Sequence, residues 1–154
     1  MKRLKRFWPV SLMISLLLFL LLIPITPAAA QAATRHLDTS SSEILHPQTY
    51  RMIENGSCQL ADIGDGTINV SGSTSTYSSV AQVGLTLYLQ YLSKGSWYTI
   101  ETYSYSGYDT SYLSGGQHLA VSHGYSYRVF AEHTAYNGTT YETGYSYTEA
   151  VYIS

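Results

Sequence analysis

Gln82-Val83-Gly84-Leu85-Thr86-Leu87-Tyr88-Leu89-Gln90-Tyr91 alternates apolar and polar residues without a break. Val83, Leu85, Leu87, Leu89 and Tyr91 fall on one side of an extended chain, and Gln82, Thr86, Tyr88 and Gln90 fall on the other. Successive side chains of a strand point to opposite faces, so this period of two predicts a half-buried strand with one face committed to a core. Lys94-Gly95-Ser96 supplies a turn, and 97–106 reads as the returning strand of a hairpin. Upstream, 59–63 and 67–74 are two shorter strands joined through Gly64-Asp65-Gly66. Downstream, 117–122, 125–135 and 141–153 complete a set of seven, with Asn137-Gly138 as a strong hairpin signal between the last two. Tyrosine, threonine and valine, which favour strands, alternate throughout with Ser, Gly and Thr.

Seven short strands with turns every eight to twelve residues predict an all-β domain. The expected architecture is a single two-sheet antiparallel β-sandwich over 57–154, immunoglobulin-like or fibronectin type III-like. Leu119, Val121, Gly124, Tyr127 and Val129 spell L-x-V-x-x-G-x-x-Y-x-V. That pattern resembles the corner between strands E and F of such sandwiches, where a buried tyrosine sends its hydroxyl back to the backbone; the resemblance makes Tyr127 the corner tyrosine. A broader likeness runs from the N-terminal segment through Gly64-x-Gly66-x-Ile68-x-Val70-x-Gly72, Trp97-x-x-Ile100 and Gly124-x-x-Tyr127-x-Val129. In that order the chain resembles small secreted proteins of unknown function from Gram-positive bacteria, which implies a compartment and a fold but no activity.

The first residues carry the three zones of a secretory signal peptide. Lys2, Arg3, Lys5 and Arg6 are followed by an apolar run from Trp8 to Ile25, and then by Pro27 and the tract Ala28-Ala29-Ala30-Gln31-Ala32. An apolar run of this length would just span a hydrocarbon core of roughly 30 Å. Pro24, Pro27 and the alanines point instead to cleavage, after Ala30 or after Ala32. The expected organisation is a cleaved signal peptide over 1–32, a flexible lead-in over 33–56 with Ser40-Ser41-Ser42 and His46-Pro47, and the sandwich over 57–154. Tyr50, Met52 and Ile53 are placed to pack onto the domain. No membrane association is expected after cleavage, and the protein is expected to be secreted, with association to a cell wall as one form of that location.

Cleavage changes the electrostatics. Of 8 Lys+Arg, four leave with the leader, so Arg35, Arg51, Lys94 and Arg128 stand against all 10 acids, a net charge of −6 with His neutral. Phosphate recognition depends on clustered Lys and Arg, so nucleic acid is not an expected partner. Cys58 is the single cysteine, which excludes an intramolecular disulfide. It reads as a small buried apolar residue early in the first strand, with an intermolecular disulfide as the alternative.

Catalytic and metal signatures are thin. Asp62-Ile63-Gly64-Asp65-Gly66 lacks the ligand spacing and closing Glu of an EF-hand and reads as a β-turn. His118, His123 and His133 do not have the spacing of a compact zinc site. No G-x-S-x-G or H-E-x-x-H is present. The acid pairs Glu132 with Glu142 and Glu101 with Asp109 read as solvated surface groups rather than a general acid and base. No catalytic residue, metal ligand or cofactor is therefore expected, and the protein is expected not to be an enzyme. The sequons at Asn55, Asn69 and Asn137 would be silent in a bacterium.

All 16 tyrosines follow the leader. Tyr-Ser-Tyr occurs at 103–105, 125–127 and 145–147, a recurrence with the length of a hairpin. If Tyr103, Tyr105, Tyr145 and Tyr147 face outward together, they form an aromatic surface suited to sugar rings or to a protein partner. If not, half of them fill the core. The functional expectation is a secreted, non-catalytic binding or interaction module with a cell-wall, glycan or protein partner. A structural, envelope-associated protein and a small secreted enzyme or toxin are the alternatives.

Overall fold

In the computed structural model the chain divides into Met1–Thr34 and Arg35–Ser154. The residues described are 39–43 and 50–154, all in the second unit. The expected signal peptide with Ala30 and Ala32 lies outside them. So do 33–38 and 44–49 of the expected lead-in.

Every regular element among the described residues is a strand: β1 (Thr39–Glu43), β2 (Ile53–Gly64), β3 (Thr67–Ser93), β4 (Ser96–Ala120), β5 (Tyr125–Tyr136), β6 (Tyr141–Tyr147) and β7 (Val151–Ile153). All pairings are antiparallel and belong to one seven-stranded sheet that is nearly barrel-shaped. The order is β1-β2-β3-β5-β6, with β4 paired to β3 and β7 to β5.

Two long strands organise the wrap. β3 has 27 residues and β4 has 25. The stretches 75–81 and 107–116, expected to be connections, are strand. The Ser- and Gly-rich 71–75 pairs with 55–59 on one side and 112–116 on the other, so ladder hydrogen bonds on both edges override its weak local preference. β3 pairs with β2 through Thr67 to Thr76, and with β5 through Gln82 to Tyr91. The register with β4 breaks between Ser75 and Val80, and Asp109 opposite that break takes a left-handed φ of 48°. At this bend β3 changes its partner and the sheet folds over on itself.

Two further boundaries differ from expectation. Within 33–56, Thr39–Glu43 pairs with β2, and β2 itself opens at Ile53, which is 1% exposed. At the other end, 141–153 is two strands. Thr148 turns inward: its N–H donates to Val129 O at 2.9 Å, and its Oγ1 accepts from Val129 N at 3.1 Å. This shifts the register by one residue between Tyr147–Phe130 and Val151–Tyr127.

The core fills the inside of the wrap. Leu60, Ile68, Val70, Leu85, Leu87, Leu89 and Val129 are at most 1% exposed, and each such side chain contributes about 1.5–3 kcal/mol by leaving water. A smaller cluster of Ile53, Val80, Val83 and Ala135 closes the end near the bend. Contacts of β6 with β1 and β2 close one side of the wrap. On the other side both halves of β4 are edges, paired only with β3.

Candidate functional site

The outer face of β3, β5 and β6 follows from what these strands put inside. Leu85, Leu87 and Leu89 of β3, Val129, Ala131 and His133 of β5, and Gly144 and Ser146 of β6 are all buried. Alternation therefore turns Thr86, Tyr88, Gln90, Arg128, Phe130, Glu132, Tyr145 and Tyr147 outward. Register then aligns them. Tyr88 lies opposite Phe130 and Phe130 opposite Tyr147, while Thr86, Glu132 and Tyr145 form the next row. Phe130 stacks on Tyr145 at 5.6 Å and 14°, and Tyr88 meets Phe130 at 5.7 Å. Tyr88 Oη donates to Glu132 at 3.3 Å, and partial burial followed by this carboxylate raises the phenol above its ordinary pKa.

Toward one end of the face, Arg128 lies opposite Gln90 and donates through Nε to its Oε1 at 2.8 Å. Its guanidinium sits 4.3 Å from the Trp97 ring centroid, a cation–π contact that flattens the pair onto the sheet. At the opposite end Tyr136 and Tyr141 stack at 4.2 Å. From Leu92, the partner of Trp97, to Gln82, the partner of Tyr136, the face runs roughly 33 Å along β3. Tyr145 and Tyr147 are 51% and 45% exposed. The surface offers flat rings, phenol hydroxyls, one cation and one carboxylate, which suits stacking plus hydrogen bonding to a polar, ring-bearing partner.

The four tyrosines singled out from the repeat do not share this face. Tyr103 lies opposite Leu87 and Tyr105 opposite Leu85, so both turn inward and pack against the core on the open side of the sheet. The Tyr105 ring occupies the space a side chain at Gly115 would need, and its hydroxyl donates to Gly116 O at 3.2 Å, joining the two halves of β4. Tyr145 and Tyr147 instead gain Tyr88, Phe130 and Arg128 as neighbours, which the repeat could not indicate. The alternation around Leu87 did place Tyr88 outward. Its meeting with Phe130 depends on a β3–β5 register with no local sequence signal.

Tyr127 is 3% exposed and donates to Ser122 O at 2.9 Å. Cys58 is fully buried, beyond the reach of a second chain's thiol. Asp62 Oδ1 accepts from Gly64 N in the turn before Thr67. The pair Glu132 and Glu142 is separated by the sheet: Glu132 is on the outer face, whereas Glu142 faces inward at the position opposite Ala135. Among the described residues no three His, Cys, Asp or Glu side chains gather as a metal site.

The polar chemistry inside the core centres on His133, which is 0% exposed. Its Nδ1 lies 2.8 Å from Thr74 Oγ1, and its Nε2 lies 2.8 Å from Ser146 Oγ. Thr74 Oγ1 reaches Gly84 O at 3.1 Å, and Ser146 Oγ reaches Cys58 Sγ at 3.3 Å. Two proton arrangements satisfy this chain. In one, Nδ1–H donates to Thr74, Thr74 donates to Gly84 O and Ser146 donates to Nε2. In the other, Nε2–H donates to Ser146, Ser146 donates to Cys58 and Thr74 donates to Nδ1. Burial without a counter-charge pushes the imidazole pKa down to about 4. Ser146 and His133 have the spacing of a nucleophile and its base, but Ser146 is 1% exposed and no substrate reaches its Oγ. The pair holds β5, β6 and β2 together.

Fold and face together define a small antiparallel all-β protein with a tyrosine-rich outer surface. No protein-family model, curated protein or solved structure matches the chain.

Proposed function

We propose that this chain is an exported, non-catalytic binding module that meets a cell-wall, glycan or protein partner through the outer face of β3, β5 and β6. In this reading residues 1–32 are removed and the remainder is an immunoglobulin-like or fibronectin-like two-sheet sandwich. The likeness to small secreted Gram-positive proteins and the Tyr127 hydrogen bond both support it. The observation that carries the function is the outward-facing run of half-buried Tyr88 and Phe130 with exposed Tyr145 and Tyr147, beside the Arg128–Trp97 pair. Contiguous aromatic surface flanked by polar groups is what a recognition site needs and what a monomer's surface usually avoids. The test is retention of the purified protein on isolated cell walls and insoluble polysaccharides. Replacing Tyr145→Ser and Tyr147→Ser together is expected to reduce retention at least about tenfold while leaving the melting temperature nearly unchanged. Equal retention by the double variant would remove the face from consideration.

A structural, self-associating role is the second reading, and the free edge of β4 favours it. Over 96–106 that edge carries one charged residue, Glu101, and no proline, so it lacks most devices that keep edges apart. Under this reading sedimentation shows concentration-dependent association, which Thr102→Lys abolishes. A monomer at all concentrations counts against it.

A further inference from the structure

On the open side of the wrap the two halves of β4 diverge away from the bend, and an open cleft of about 470 Å³ lies between them. Ile100 and Glu101 come from one half, Val121 follows the other, and Tyr91, Tyr125 and Tyr127 contribute from the ends of β3 and β5. The cleft follows from the topology. Neither half of β4 has a strand partner on this side, and Tyr105 bridges them only near Gly115 and Gly116.

Its chemistry is one-sided. Glu101 is the sole charged group lining the cleft, and no Lys, Arg or His lies along it. The carboxylate makes no hydrogen bond or ion pair with any described residue. Register places Glu101 opposite Leu89, on the core side of the sheet, so it stands at the mouth of an apolar space. Partial burial, and then the Glu101 charge, raise the nearby Tyr103 phenol above its ordinary pKa, so the field of this carboxylate is felt along the inner face. Beside it, Tyr91 and Tyr125 meet edge to face at 5.6 Å and 78°, an aromatic corner that offers one ring face and one ring edge. The Tyr127 hydroxyl is engaged by Ser122 O.

An anion entering this space meets a carboxylate and no cation. A neutral apolar guest strips water from Glu101 and returns nothing. A cation satisfies the carboxylate and is also attracted to the ring faces. We propose that this cleft is a binding site for a small organic cation, an ammonium head carrying a short apolar body, with Glu101 facing the charge and Tyr91 and Tyr125 packing around the head. The site is distinct from the outer face and does not depend on it.

The test uses choline and its uncharged isostere, in which a quaternary carbon replaces the nitrogen, titrated into the protein recovered from expression of the full chain and followed by amide NMR. Choline is expected to give saturable shifts at Ile100, Glu101, Val121 and Tyr125, with the isostere at least about tenfold weaker. Glu101→Gln is expected to weaken choline about tenfold with no change in melting temperature, since its carboxylate bonds nothing in the fold. Tyr125→Leu, which keeps apolar bulk, is expected to weaken choline more than the isostere. Equal affinity for choline and the isostere, full affinity in Glu101→Gln, shifts confined to the outer face around Tyr145, or no saturable shift at all would each overturn the proposal.

Discussion

Replacing His133→Ala is expected to lower the unfolding free energy by about 4 kcal/mol, combining the cavity with the loss of one hydrogen bond at each of two buried hydroxyls, Thr74 keeping only Gly84 O and Ser146 only Cys58 Sγ. Thr74 and Ser146 are 0% and 1% exposed, so neither hydroxyl regains water when the imidazole goes. The same residue sets an acid limit. In the unfolded chain the imidazole takes a proton near pH 6.5, whereas in the fold it stays neutral down to about 4. Between those values the unfolded state binds more protons, so the His133 contribution to stability falls as pH falls through this window and is flat on either side of it. The loss is about 3 kcal/mol. His133→Gln, which keeps a donor and an acceptor but does not titrate, is expected to be less stable at pH 7 and to lose this dependence. Urea unfolding at pH 7.5, 5.5 and 4 measures both. An unchanged slope in His133→Gln would assign the acid sensitivity elsewhere.

Glu142→Ala is expected to cost about 2 kcal/mol and to release the entry to β2. Its carboxylate accepts the backbone N–H groups of Arg51, Met52 and Ile53, each at 2.7 Å. These bonds link β6 to residues some ninety positions earlier, and they seat Ile53 in the smaller core cluster. Burial alone would raise the pKa of Glu142. The N–H groups of Arg51, Ile53 and Met52 and then the Arg51 charge outweigh it and hold the carboxyl below its usual value. A depressed carboxyl contributes stability that is present above its unfolded pKa and lost as pH falls through its folded one. The Glu142 contribution is therefore lost from the acid end of the His133 window downward, as pH falls from the ordinary carboxyl value of 4.5 through the lower folded one. Protection factors at Met52 and Ile53, taken relative to the intrinsic exchange rate at each pH, are expected to fall in Glu142→Ala at neutral pH, and in the wild type once acid protonates Glu142. Protection unchanged in the variant would show that the three bonds do not hold this segment.

The strands and their faces were legible wherever residues of contrasting polarity alternate. Val83 to Tyr91 announced a buried side and a solvent side, and the structure has both. The same alternation turned Tyr88 outward. Legibility failed in the stretches 75–81 and 107–116, rich in small and polar residues, where little contrast is available and backbone pairing with neighbours decides. It failed too for Tyr103 and Tyr105. A Tyr-Ser-Tyr triplet has the same local pattern on an inner and an outer face, and only the pairing with Leu85 and Leu87 separates it from the triplet at 145–147.

What the sequence determined by itself was the all-β character, the tight turns at Gly64-Asp65-Gly66, Lys94-Gly95 and Asn137-Gly138, and the sidedness of the best-patterned strands, because all three depend on residues within a few positions of one another. Tertiary structure alone decided which strands are neighbours and in what register. On that register rest the joining of Tyr145 to Phe130 and Tyr88, the reach of His133 to Thr74 and Ser146, and the opening beside Glu101. These contacts join residues tens of positions apart, and they are selected by the requirement that one sheet bury its apolar face and satisfy its polar groups at the same time.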